Sequence, residues 1–168
     1  NVTRKQFEAM VKRVKQYIRS GDVIQTVLSQ RFELGPIPND FNLYRALRSL
    51  NPSPYMFYFR YRHLSLIGSS PEMLAKKTGR AVELKPIAGT RPRGKTRDED
   101  TANEQALRSS PKELAEHVML VDLGRNDLGR VSEANSVRVN DFAHVERYSH
   151  VMHLVSDVSA MLRRGRDA

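Results

Sequence analysis

YMFYFRYRHLSLIGSS, residues 55–70, is the stretch that decides the fold class. It predicts two strands joined by a turn near Arg62 and His63. MLAKKTGRAVELKP, residues 73–86, predicts a second hairpin that turns at Thr78 and Gly79. Antiparallel strands with helices placed between them along the chain indicate an α+β fold.

Two helices have clear start signals. Thr3 and Gln6 have the spacing of a capping box, and Gly21 provides a stop at the other end of that helix. Ser110, followed by a proline and then by Glu113, is the start signal of the second helix.

The remaining segments give weaker signals. Asp40 is placed to cap a further helix, and VIQTVLSQRFEL, residues 23–34, predicts a strand. We expect a short strand over 137–139 and a mobile polar loop with a short helix over 93–110. HVERYSHVMHLVSDVSAML, residues 144–162, is expected to be extended in its first part.

Composition narrows the class of protein. The 168 residues carry a net charge of +9, and the basic residues are dispersed, which predicts a solvated surface or a small anionic substrate. There is no nucleic-acid-binding signature and no apolar run long enough to cross a bilayer, so we expect the protein to bind neither nucleic acid nor a membrane. The absence of Cys excludes thiolate metal sites and favours a reducing, cytoplasmic setting. Because the chain begins at Asn1, we expect a piece of a longer protein.

GTRPRGKT, residues 89–96, fits the P-loop pattern at every fixed position. Pro92, however, removes an N–H donor from the phosphate cradle, and the acidic run at 97–105 would repel a triphosphate. Asp122 follows a helix start, whereas the aspartate of a second nucleotide-binding motif ends a strand. The pattern therefore predicts a chance match.

Three sets of side chains are candidates for chemistry. Glu113 and Glu116 share one helix face, which suits a hard cation such as Mg²⁺ or, alternatively, a solvated face with Glu113 serving the cap. His150 and His153 are predicted to lie on a strand and to point to opposite faces, which disfavours zinc and leaves proton transfer or a structural role. Glu72 is a candidate general acid at a strand edge.

Six segments, in this order, resemble the chorismate-utilising enzymes: GDVIQTVLSQRF, NPSPYMFYF, GSSPEML, PIAGTRPRG, ELAEHVMLVDLGRNDLGR and ERYSHVMHLVSDV. The similarity covers nearly the whole chain and is strongest to the group of the family that forms anthranilate. It implies an α+β fold with antiparallel sheets packed face to face, helices outside, and an active site in the cleft between the layers. Residues 1–168 would be one partial catalytic domain of the family.

The resemblance also implies roles for individual residues. Glu116 matches a Mg²⁺ ligand, and Glu113 matches a carboxylate that acts on the metal through water. Glu72 matches the carboxyl group that assists departure of the ring hydroxyl of chorismate, and His150 matches the histidine placed near the ring for elimination. The positions that match substrate contacts are Gly68, Ser69, Ala88, Gly89 and Thr90.

Two positions narrow the reaction that the resemblance implies. Gln25 stands where isochorismate- and salicylate-forming members carry a water-activating lysine, and Ala88 stands where aminodeoxychorismate synthases often carry a lysine that attacks the ring. Both substitutions favour direct amination by ammonia, delivered by a glutamine amidotransferase partner, with loss of pyruvate to give anthranilate. Aminodeoxychorismate synthesis is the alternative within the family, and a nucleotide-binding protein or a basic binding module are alternatives outside it.

The resemblance also implies a regulatory site and a catalytic domain that is longer than this chain. Pro54, Tyr55 and Met56 match the border of the tryptophan pocket of feedback-sensitive family members. The family domain continues past Ala168 with a further metal glutamate, so we expect the chain alone to lack synthase activity. Arg91 and Arg93 receive no specific role.

Overall fold

The structure, a computed structural model, describes residues 2–167 and divides into two compact units, Asn1–Asp40 and Phe41–Ala168. None of the helices in this described part combines the length and the apolar character that a membrane crossing requires.

The first unit is built around helix α1, Arg4–Ser20. Its start is the capping box predicted from sequence, because Thr3 Oγ1 accepts the Gln6 N–H while Gln6 Oε1 accepts the Thr3 N–H. Gly21 ends the helix with φ of 81°, a left-handed conformation that glycine adopts without steric cost. The predicted ends of this helix are confirmed.

The strand predicted over residues 23–34 is wrong. This segment has no regular secondary structure, and no strand pairs with it among residues 2–167. Its apolar side chains stay in solvent, as shown by Val27, which is 84% exposed, and Leu34, which is 88% exposed. A β-branched run becomes a strand only where a neighbour accepts its backbone hydrogen bonds and covers its side chains.

The second unit begins with helix α2, Asp40–Leu50, and a two-stranded antiparallel sheet. Strands β1, Tyr55–Tyr61, and β2, Leu64–Ser70, pair in full register from Tyr55 with Ser70 to Tyr61 with Leu64. The hairpin and its turn match the prediction.

A five-stranded antiparallel sheet forms the centre of the second unit. Its longest strand pairs on one edge with the strand that precedes it in sequence, and on the other edge with two short strands in succession. The strands of this sheet are β3, Lys76–Thr78; β4, Ala81–Leu84; β5, Ile87–Pro92; β6, Arg138–Arg147; and β7, Val151–Met161. The hairpin predicted to turn at Thr78 and Gly79 is β3–β4.

Two helices cover this sheet. Helix α3, Arg97–Arg108, occupies most of the segment predicted to be a mobile loop, and helix α4, Pro111–Val131, starts at the predicted Ser110 cap. Their apolar side chains and those of the sheet form two buried clusters, which are Val82, Val121, Leu128, Val158, Ala160 and Leu162 in one and Leu107, Met152 and Leu154 in the other. The α+β class is confirmed.

The segment 144–162 contains two strand segments rather than one. The end of β6 and the whole of β7 run antiparallel, with a tight turn over residues 148–150 that the Tyr148 N–H to Val151 C=O bond of 2.8 Å closes. The turn was not predicted because residues 148–150 contain neither glycine nor proline.

Candidate active site

One cavity of about 300 Å³, which we call the histidine cavity, is lined by Pro54, Ser69, Tyr148, His150 and His153 among others. Three chain segments build it: the linker before β1, the end of β2 and the turn that leads into β7. Ser69 is fixed there by its hydroxyl, which donates to the Asn51 carbonyl at 2.7 Å. Of the predicted site residues, this cavity brings Pro54, Ser69 and His150 together.

His150 and His153 do not point to opposite faces of one strand, as expected. His150 lies in the turn before β7, so the alternation of a strand does not apply to it, and both residues line the histidine cavity. His150 is exposed, and its ring makes no hydrogen bond within the described part of the chain.

His153 connects the histidine cavity to strand β5. Its Nδ1 lies 3.0 Å from Thr90 Oγ1 and 3.2 Å from the Gly89 carbonyl oxygen. A carbonyl oxygen can only accept, so the hydrogen bond to Gly89 requires a proton on Nδ1 of His153. Gly89 sits at a β-bulge between Ala88 and Thr90, with φ of 74°.

The bulge at Gly89 faces the first turn of α4. A Cβ atom at Gly89 would lie 3.3 Å from Glu113 Oε2, and Arg91 Nη1 lies 3.6 Å from Glu113 Oε1. Glu113 therefore has a cationic neighbour that the sequence of the helix alone does not show. Arg91 belongs to β5, and helical spacing carries no information about a strand that packs across the helix.

Glu116 lies one turn along α4 from Glu113. It is half-buried, and its carboxylate has no hydrogen bond or ion pair within residues 2–167. A half-buried carboxylate without a partner has its lone pairs available for a hard cation, whose preferred ligands are oxygens. Glu116 is therefore a candidate ligand for a hard cation such as Mg²⁺.

His117, a residue that sequence reasoning missed, anchors α4 to the sheet. It is fully buried, and its Nε2 lies 2.6 Å from Ser156 Oγ on β7. Burial, and then the nearby His144, lower the pKa of His117, so its neutral form is favoured. Because His117 directly follows Glu116, this contact sets the rotation of the helix that presents the two carboxylates.

Glu72 lies in a different place from His150. It lines a larger cavity of about 630 Å³, which we call the lysine cavity, together with Ser70, Lys85 and apolar residues of α4. Successive side chains of an extended segment point to opposite sides, so Ser70 and Glu72 face the lysine cavity while Ser69 and Pro71 face the histidine cavity. The structure thus places these two predicted catalytic residues on opposite sides of residues 69–72.

A polar network joins the two cavities. Glu146 accepts from Lys85 Nζ at 2.5 Å and from the Tyr148 hydroxyl at 2.8 Å, and its Oε1 lies 3.3 Å from His144 Nε2. Burial alone would raise the pKa of Glu146, but these hydrogen bonds outweigh it and lower that pKa. Burial and the bond to Glu146 raise the pKa of Tyr148 to about 12. His144 and Glu146 lie on β6, Tyr148 directly follows that strand, and Lys85 comes from the connection between β4 and β5.

The other predicted site residues lie in several environments. Gly68 is covered by the ring of its cross-strand partner Phe57, because an added Cβ would lie 2.2 Å from that ring. Ala88 is buried within β5, at 8% exposure. Tyr55 and Met56 lie on β1, and Gln25 lies in the irregular segment of the first unit.

The P-loop interpretation fails on geometry. The Gly94 N–H, which a phosphate would need, donates to Asp100 Oδ1 at 2.8 Å, and the Lys95 N–H donates to Glu99 Oε2 at 2.8 Å. Strand β5 is antiparallel to β7, and Asp122 lies within α4 rather than at the end of a strand. The chain's own carboxylates occupy the anion-binding groups.

Comparison with known proteins gives consistent matches. The family model described as chorismate binding enzyme matches residues 1–168. The chain is 56% identical over 168 residues to anthranilate synthase component 1 of Aquifex aeolicus, covering 100% of this chain and 34% of that protein. It is 52% identical over 162 residues to aminodeoxychorismate synthase component 1 of Bacillus subtilis, covering 96% and 34% respectively.

A solved structure shows the same fold. The crystal structure of anthranilate synthase component I from Streptococcus pneumoniae matches with a TM-score of 0.87 and 42% identity, over 99% of this chain and 36% of that one. The chain therefore spans about a third of the length of the curated relatives it matches.

Proposed function

The chain belongs to the chorismate binding enzyme family, and from that premise we propose that it is part of the catalytic domain of an anthranilate synthase component 1. The reaction is chorismate plus ammonia to anthranilate, pyruvate and water. The observation that carries this proposal is the 56% identity to an anthranilate synthase component 1 along all 168 residues. An amidotransferase partner supplies ammonia from glutamine, and the cysteine-free composition suits the cytoplasm.

Glu116 and Glu113 are the residues that would hold Mg²⁺. Glu116, which has no partner among residues 2–167, suits direct ligation, whereas Glu113, which shares its charge with Arg91 at 3.6 Å, suits contact through water. The metal, when bound, orients and neutralises the ring carboxylate of chorismate. His117 holds both carboxylates in place through Ser156.

His150 is the proposed proton-transfer residue for elimination, and we propose the histidine cavity as part of the substrate's place. The proposed metal ligands Glu113 and Glu116 are not among the residues that line it. Ser69 lines that cavity, and the Gly89–Thr90 bulge approaches it through His153. Glu72 is proposed to assist departure of the ring hydroxyl, but it faces the lysine cavity, and this counts against its acting on the same molecule in the present conformation.

The choice between two products rests on Ala88 and Gln25. Aminodeoxychorismate synthesis is the second candidate, favoured by the 52% identity to the Bacillus subtilis protein. The buried methyl group of Ala88 cannot attack the ring, and Gln25 is not a base that could activate water. Both residues leave ammonia as the nucleophile.

A chimera tests the proposal. The matching segment of the Aquifex aeolicus anthranilate synthase component 1 is replaced by this chain, and the product from chorismate, ammonium and Mg²⁺ is identified by fluorescence and mass. Anthranilate as the main product supports the proposal. Accumulation of aminodeoxychorismate, or no turnover by a folded chimera, contradicts it.

Tryptophan regulation is proposed for Pro54, Tyr55 and Met56. Pro54 lines the same cavity as His150, whereas Tyr55 lines a separate cavity beside β4 and β7. An allosteric effector needs a site distinct from the substrate's. Inhibition of the chimera by tryptophan, lost in Met56→Ala while turnover without tryptophan is kept, is the expected result. Inhibition that is unchanged in Met56→Ala would contradict the proposal.

A further inference from the structure

We propose that Arg93 is a positioning residue for His150, acting on the backbone of the turn that carries this histidine. The inference rests on the proposed function for its catalytic meaning. The Arg93 N–H donates to the His150 carbonyl at 3.0 Å, and Arg93 Nη1 donates to the Tyr148 carbonyl at 2.9 Å. Arg93 therefore hydrogen-bonds to the backbone of the turn on both sides of Ser149.

These two hydrogen bonds matter for His150 because its ring makes no hydrogen bond among residues 2–167 that would fix its position. The His150 side chain is exposed and makes no hydrogen bond within the described residues. The turn's own closing bond, from the Tyr148 N–H to the Val151 carbonyl, fixes its shape, and strand pairing holds its ends, Arg147 with Met152 and Val151 with Pro92. The two bonds from Arg93 tie the turn to β5 and to the start of α3.

Arg93 is itself held rigidly. Its Nε and Nη2 donate to the two carboxylate oxygens of Asp100 at 2.8 and 2.9 Å. Such a paired contact fixes the plane of the guanidinium, which leaves Nη1 aimed at the Tyr148 carbonyl. A lysine at this position could not make these three contacts from one rigid plane.

Gly94 is required for this contact to form. An added Cβ at Gly94 would lie 2.2 Å from the Asp100 backbone nitrogen. The close approach lets Asp100 Oδ1 accept the Gly94 N–H at 2.8 Å in addition to its bond with Arg93. Residues 93 and 94 and Asp100 thus form one unit, which accounts for the Arg-Gly pair of the GTRPRG segment.

The strand before the turn is held by the same helix. Arg147, the last residue of β6, hydrogen-bonds to Glu104 of α3, and its Nε lies 3.7 Å from Asp100 Oδ2. Asp100 and Glu104 of α3 therefore hold two arginines beside the His150 turn, Arg93 and Arg147. In the sequence, these acidic residues indicated only that a phosphate would be repelled. In the structure, they bind the two arginines.

The test compares Arg93→Ala, Arg93→Lys and Asp100→Asn with the control Arg97→Ala, which removes the same charge from an exposed side chain nearby. Long-range ¹H–¹⁵N spectra of the chain report all five histidine rings, with His150 assigned from His150→Gln. We expect the first three variants to shift the His150 ring resonances selectively and the control to leave them unchanged. The amide of residue 93, which donates to the His150 carbonyl, should exchange about tenfold faster or more, because the turn separates from β5 locally.

The inference is overturned if His150 and the amide of residue 93 are unchanged in folded Arg93→Lys and Asp100→Asn proteins. It is also overturned if all five histidines move together, since that indicates a general structural role. These two milder variants keep the test decisive if Arg93→Ala does not fold. Arg93→Ala combined with Asp100→Asn should shift His150 no further than either single change.

A kinetic arm uses the chimera. Arg93→Lys should lower kcat by about 10–100-fold with little change in KM, because misplacement of a catalytic group by about 1 Å has such an effect. Loss of substrate affinity with kcat unchanged would overturn the inference. A parent chimera that forms no anthranilate would contradict the proposed function, and the spectra would still report whether Arg93 positions His150.

Discussion

Gly89 and Glu113 lie so close that a single methyl group between them would be 3.3 Å from the Glu113 carboxylate and 3.0 Å from Leu107. Gly89 belongs to the bulge of β5, and Glu113 belongs to the first turn of α4. This contact brings a proposed substrate segment and a proposed metal carboxylate to one point. It also joins two segments that are 24 residues apart in the sequence.

Gly89→Ala should lower the free energy of unfolding by more than Gly79→Ala does. Both glycines have positive φ, 74° and 59°, so both changes carry the left-handed strain of about 1–2 kcal/mol. Only Gly89 has neighbours that an added Cβ would contact, whereas Gly79 has nothing within 4 Å. Urea unfolding of both variants measures the difference, and equal losses would show that the Glu113 contact relaxes freely.

Ser156→Ala should destabilise the chain by on the order of 1–3 kcal/mol, because it leaves buried polar groups unpaired. Ser156 Oγ lies 2.6 Å from His117 Nε2 and accepts the Ala143 N–H at 2.8 Å. The control is Ser159→Ala on the same strand, whose hydroxyl accepts only from the exposed Asn140 side chain. A loss in Ser156→Ala no greater than in this control would contradict the anchoring role of His117.

Acid should weaken the Arg93–Asp100 contact in a defined window. The hydrogen bond from Arg93, and then that from the Gly94 N–H, lower the pKa of Asp100 from 3.8 to about 2. A lowered folded-state pKa contributes stability that is complete above the ordinary pKa and is lost as pH falls towards about 2.

The comparison of wild type with Asp100→Asn from pH 6 to pH 2 measures this contribution. We expect the difference in urea midpoint to be constant above about pH 5 and to shrink below pH 4. Asp98→Asn, an exposed change in the same helix turn, serves as the control. A difference that does not depend on pH would show that the Asp100 carboxylate is not specially stabilised.

Glu116→Gln in the chimera should raise the Mg²⁺ concentration for half-maximal activity by about tenfold or more, because an amide is a poorer ligand for a hard cation. Asp122→Asn removes a charge from the same helix at a side chain that is 60% exposed and pairs with Arg125. It should leave the Mg²⁺ dependence unchanged. Equal effects of the two substitutions would indicate that only the net charge of α4 matters.

The sequence predicted the elements whose signals are local. The capping box at Thr3, the Ser110 cap and both hairpins are recovered, because each depends on residues a few positions apart. The strand over residues 23–34 fails because a strand exists only with a partner, and none pairs with it among residues 2–167. The 148–150 turn was missed because it contains neither glycine nor proline, and its contact with Arg93, 55 residues before Tyr148, has no local signal.

The residues of the candidate site also fall into two groups, those predicted from the sequence and those seen only in the structure. Resemblance in the sequence identified Ser69, Gly89, Glu113 and His150, and the structure brings Ser69 and His150 to one cavity and Gly89 to Glu113. Arg93, His117 and the Lys85–Glu146 pair were not predicted, because their partners come from distant segments of the chain. His153 was a candidate from the sequence, but its contact with the Gly89 carbonyl was not predicted.

The sequence by itself determined the family, the α+β class, both ends of α1, the start of α4 and the two hairpins, because capping, turn formation and motif similarity are properties of neighbouring residues. Only the tertiary structure decided that Glu72 and His150 face different cavities, that Arg91 neutralises part of the carboxylate pair, and that Arg93 holds the His150 turn. Those arrangements depend on which strands pair and which helix packs across them. Pairing and packing are set by the burial and hydrogen bonding of the whole sheet, which no single stretch of sequence contains.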